Sequence, residues 1–197
     1  MRRWRLATSS TTTTTHTPRL HARNLTLAGL ALLLFSLVAP VGADPGNDNR
    51  APDLSAYPNL QVPEGNKVSF HAYAEGVQIY RWNGTAWAFV APEATLYADA
   101  GYHGVVGTHY AGPTWESNSG SKVVGAVLER ATPDPDAIPW LKLEAKSNDG
   151  PGIFDQVTYI QRVNTVGGKA PADPGDFVGE EARVPYTADY YFYRAKN

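Results

Sequence analysis

The sequence predicts an all-β fold, a single antiparallel β-sandwich or barrel-like domain. Three observations carry this. From Lys67 onward, short apolar or aromatic runs alternate with Gly, Pro, Asn and Asp, and no stretch sustains helical periodicity. Residues 140–147 alternate strictly, with Leu141, Leu143 and Ala145 on one face and Lys142, Glu144 and Lys146 on the other. That is the pattern of a half-buried antiparallel strand. Residues 77–82 and 86–90 flank Asn83-Gly84, a pair that supplies the positive φ angles of a type I′ hairpin turn.

The other strands follow in order. Residues 105–110 form one. Residues 122–132 form another after the turn Asn118-Ser119-Gly120, and residues 154–166 follow the turn at 148–152. Residues 167–179 are a Gly/Pro-rich loop, and residues 183–194 close the domain. Tyr190-Tyr191-Phe192-Tyr193 places aromatics on both faces of this last strand, as a strand covered on both sides requires. Asn83-Gly84-Thr85 also has the pattern of a glycosylation sequon, but the hairpin turn accounts for these residues without modification.

Ahead of the domain, residues 1–43 read as a secretory signal peptide. Arg19 and Arg23 precede the apolar run 25–38, and Pro40-Val41-Gly42-Ala43 supplies small residues before Asp44. The apolar run is shorter than the ~20 residues of a spanning helix. Cleavage after Ala43 would leave a secreted or periplasmic protein with no stable membrane insertion. Residues 44–63, polar and Pro-rich, read as a flexible lead-in to the domain at 64–197. Beyond Ala43 there are 12 Lys and Arg against 19 Asp and Glu, a formal charge of −7. So acidic a chain is unsuited to nucleic acid or to anionic membrane surfaces. The absence of Cys excludes thiolate catalysis, Cys-ligated zinc and iron–sulfur clusters.

Residues 109–116, His-Tyr-Ala-Gly-Pro-Thr-Trp-Glu, concentrate the candidate chemistry. His109 and Glu116 would make a general acid/base pair if Gly112-Pro113 turned the chain tightly, with Trp115 desolvating the carboxyl. A structural, hydrogen-bonded histidine is the favoured alternative. Tyr110, Trp115 and Trp87 border turns, and with His103 they are the candidate ligand-binding residues, the exposed rings stacking on a sugar or another flat ligand. His71, His103 and His109 lack the spacing of a metal motif, and no metal or cofactor is expected. Glycine-rich nucleotide motifs and Gly-x-Ser-x-Gly are absent.

Residues 76–194 resemble the domain-of-unknown-function family 3455 of exported bacterial and fungal proteins. The segments that carry the resemblance are Gly76-Val77-Gln78-Ile79-Tyr80, the His109 to Glu116 run, Val157-Thr158-Tyr159-Ile160-Gln161-Arg162-Val163 and Val184-Pro185-Tyr186-Thr187-Ala188-Asp189-Tyr190. Many relatives carry cysteines where this chain has Trp82 and a Cys-free loop to Gly179. The resemblance implies no activity. The expectation is therefore a ligand-binding or envelope-associated β domain, with carbohydrate as one ligand class and a non-enzymatic role favoured. The alternatives are a hydrolase or lyase using His109 and Glu116, and a structural or stress-related surface protein.

Overall fold

A computed structural model of the chain describes residues 50–196, and the expected signal peptide lies outside them. The described residues form a closed barrel of antiparallel strands in sequential order, β1 to β8. The strands are β1 Asn66–Trp82, β2 Trp87–Tyr97, β3 Val105–Tyr110, β4 Thr114–Ser117, β5 Lys122–Ala131, β6 Trp140–Asp149, β7 Tyr159–Gly167 and β8 Glu181–Ala195. β1 closes the ring by pairing with β8 from Asn66↔Ala195 to Arg81↔Glu181. The all-β expectation holds, and between sandwich and barrel the answer is a barrel.

Period-two alternation sorts each strand into an inner and an outer face. The inner face explains the aromatic load. Trp115, Phe154, Tyr190 and Phe192 fill the barrel, and Ala72, Ala74, Ala94 and Ala188 make room for them. A Cβ on Gly125 would stand 3.1 Å from Trp115 Cζ3, so the bare backbone there accommodates the indole. Large and small residues alternate in this way inside small barrels. The outer face carries the ion pairs Arg81–Glu181, Arg183–Glu93 and Lys122–Glu116.

The two ends of the barrel differ. At one end the connection after β6 folds inward, and Phe154 packs on Phe192 with ring centroids 4.6 Å apart. Ser117 Oγ lies 2.8 Å from Ser121 Oγ, and Ser121 Oγ accepts the Phe154 amide at 3.3 Å. This end is plugged. The other end gathers the β1–β2, β3–β4, β5–β6 and β7–β8 connections, and there bulges interrupt the register. One falls between Ile79 and Tyr80, opposite Val90, and another between Val127 and Glu129, at Leu128.

Several elements depart from expectation. Residues 154–158, expected to begin a strand, lie in the connection after β6, and β7 begins at Tyr159. The β1–β2 turn has positive φ at Gly84 (+94°) and not at Asn83. A lone positive-φ glycine at the first central position is what a type II′ turn needs. Asn83 Oδ1 instead accepts the amides of Thr85 and Ala86, both at 2.9 Å. Residues 114–117, read as part of a site, are the short strand β4. The lead-in is not loose from residue 54 onward. Leu54 and Leu60 pack with Val163 on the outside of the barrel, around the 3-10 turn Pro58–Leu60. Gln161 Nε2 donates to the Leu60 carbonyl at 2.7 Å, and Lys142 Nζ to that of Asn59 at 2.6 Å.

Candidate functional site

The expected acid/base pair does not form. In the β3–β4 hairpin His109 stands opposite Trp115, and Thr108 opposite Glu116. Residues on one strand alternate between faces, so the two side chains point to opposite sides of the sheet. His109 lies inside the barrel, 3% exposed. Glu116 lies outside, where it accepts the Tyr110 hydroxyl at 2.6 Å and pairs with Lys122 at 3.4 Å. Those two partners hold its carboxyl below the usual range, the reverse of what a general acid needs.

The candidate ligand-binding residues are also dispersed. Trp115 is 1% exposed and stacks on the His109 ring, with centroids 4.4 Å apart and planes 11° apart. It has no face to offer a ligand, because the turn expected to expose it leads directly into β4. Tyr110 is on the outer face with Glu116. Trp87 lies with Trp82 in a separate groove lined by residues 170–174 of the β7–β8 connection, its Nε1 donating to the Asp173 carbonyl at 2.9 Å. His103 is at the plugged end in the β2–β3 connection, its ring 80% exposed and 3.1 Å from Asp99. Among the described residues no three His, Asp or Glu side chains converge as a metal site would require.

The open end of the barrel holds a cavity of about 560 Å³. Its walls are mostly apolar, from Phe89, Val90 and Pro92 on one side to Val127, Ile138 and Leu141 on the other. Its polar side chains are Gln78 and Tyr80 on β1, His109 on β3, Arg130 on β5 and Arg162 on β7. Pockets of ~300–1,000 Å³ with apolar walls and a few convergent polar groups are the usual form of small-ligand sites.

Each polar group is in a defined state. His109 Nδ1 donates to the Thr114 carbonyl at 2.8 Å, since a carbonyl can only accept. Burial pushes the imidazole down to about 3, and the Thr114 bond opposes the shift while the Arg162 charge adds to it. His109 is therefore neutral near pH 7. Arg162 Nη2 and Nε donate to the Pro139 carbonyl at 2.8 and 3.2 Å. Its charge also opposes the upward shifts that burial imposes on the Tyr80, Tyr186 and Tyr190 phenols. Tyr80 donates its hydroxyl to the Gly168 carbonyl at 2.7 Å. Gly168 has φ +80°, and a Cβ there would come within 2.8 Å of Tyr186 and 3.1 Å of Gln78, so only glycine fits this inward bend. Gln78 is 2% exposed, and its Nε2 has no hydrogen-bond partner.

Sequence reasoning found His109 but missed Gln78 and Arg162. A signal for Arg162 was present. Alternation puts it on the same face as Ile160, so whichever way β7 faced, the guanidinium shared the side of a large aliphatic residue.

A closed eight-stranded barrel, plugged at one end and hollow at the other, defines the class. Barrels of this strand number are just wide enough to fill with side chains or to hold one small ligand. A family model described as "Protein of unknown function (DUF3455)" matches residues 63–194, and the chain belongs to that family. No curated protein and no solved structure matches it.

Proposed function

We propose that this chain is an exported, non-enzymatic binding protein that takes one small, largely apolar ligand into the open end of its barrel. The observation that carries this is the cavity of about 560 Å³, apolar-walled, with an unpartnered Gln78 Nε2 in its lining. An orphaned buried donor costs about 1–3 kcal/mol, and a bound acceptor would relieve that cost. Exposed Phe89, Val90 and Val127 put apolar surface at its mouth. A sugar ligand finds less support, because Trp115 is buried and Trp87 lies outside the cavity.

The test is titration of the full chain with Nile red, a neutral dye that fluoresces in apolar sites. Saturable binding is expected. Leu141→Trp or Val127→Trp, which put an indole into the cavity, should weaken it at least about tenfold, equivalent to about 1.4 kcal/mol. Circular dichroism would show that each variant is folded. Absence of binding, or unchanged binding in both folded variants, would favour a surface protein without a ligand site.

A further inference from the structure

The cavity's charge pattern goes one step beyond its shape. None of the residues lining it is Asp or Glu, although acidic residues outnumber basic ones in the chain. Two of them are arginines, Arg162 on the inner face and Arg130 at the exposed rim. Arg162 is the decisive one. Its guanidinium donates to the Pro139 carbonyl and lies beside the Tyr190 phenol, both neutral acceptors. No carboxylate pairs with it among the described residues. Arg162 is part-buried and bonded to neutral groups alone, so its guanidinium is free to take an anion that enters the cavity. Gln78 Nε2 is a second donor lining the cavity, on β1 two strands from Arg162, and it makes no hydrogen bond of normal geometry. His109 uses its one N–H on Thr114, so it contributes no competing positive charge.

From this juxtaposition we infer that the ligand is an apolar carboxylic acid, or a similar compact anion on an apolar body. Its anionic head meets Arg162 and Gln78, and its body lies against Phe89, Val127 and Leu141. A guanidinium suits this role because it offers a planar fork of N–H donors to a planar carboxylate. Arg130 at the rim draws the anion toward the mouth of an otherwise acidic molecule. The inference rests on the cavity being a ligand site.

The experiment compares three ligands that share one alkyl chain, decanoate, decanol and decylammonium. Each displaces Nile red from the full chain or is titrated by calorimetry. Decanoate should bind at least about tenfold more tightly than decanol, and decylammonium most weakly. Arg162→Met should remove the preference for decanoate and change decanol affinity by less than about twofold. Arg162→Lys should restore part of the preference. If Arg162→Met does not fold, the comparison of head groups on the unmodified protein still decides. Equal affinities for decanoate and decanol would overturn the anion inference and leave the cavity reading standing. Failure of every probe, Nile red included, would overturn both.

Discussion

At the scale of single residues, parity decides function. His109 and Glu116 are seven positions apart, and a three-residue turn at 111–113 separates their strands. The pairing His109↔Trp115 then sends Glu116 to the opposite face. A register one residue different would have brought the two together, and nothing in the sequence fixes that register in advance. His109 is better understood as a neutral, buried wall group whose cost appears at low pH. The unfolded chain protonates it near 6.5, the folded protein only at about 3. Between those values the unfolded state holds more proton, so stability falls as pH drops from 6.5 toward 3 and levels off below. The slope is at most about 1.4 kcal/mol per pH unit. His109→Gln should remove this component. Urea unfolding at pH 7 and pH 4.5 would measure it, and an identical loss in the two proteins would refute the assignment.

At the scale of elements, alternating strands were legible and packing partners were not. The strict alternation of β6 puts Leu143 in the core with Leu141 and Ala145 packed against it, as its sequence pattern requires. The doubled aromatics of β8 were legible as a strand covered on both faces, but the covers were not. Tyr190 and Phe192 face the barrel interior, and Tyr191 packs outside against the cluster of Leu54 and Leu60. The segment 44–63 looked flexible because its Pro and polar residues outnumber its apolar ones. Two leucines packed with Val163, and bonds from the Gln161 and Lys142 side chains to its backbone, dock it on the barrel. Leu60→Ala should cost about 2–4 kcal/mol, typical of a fully buried leucine. Chemical denaturation reads this directly, and a loss under about 0.5 kcal/mol would restore the flexible lead-in.

At the scale of the whole molecule, export is the remaining proposal. The Arg-bearing, apolar and small-residue order of the first 43 residues predicts cleavage after Ala43. N-terminal sequencing of protein recovered from the medium or periplasm should begin at Asp44, and a start at Met1 would refute the leader. Among the described residues no helix is long and apolar enough to cross a membrane. The barrel's charged outside and apolar inside are also the reverse of a lipid-spanning barrel. By itself the sequence determined the all-β class, most strand positions and the family, because these follow from local periodicity and turn chemistry. Only the tertiary structure decided the closure of β1 on β8, the plug at one end and the cavity at the other. Closure joins residues 100 or more positions apart, from Arg81↔Glu181 to Asn66↔Ala195. The meeting of Gln78, His109 and Arg162 around one cavity depends on that closure, and no local pattern encodes it.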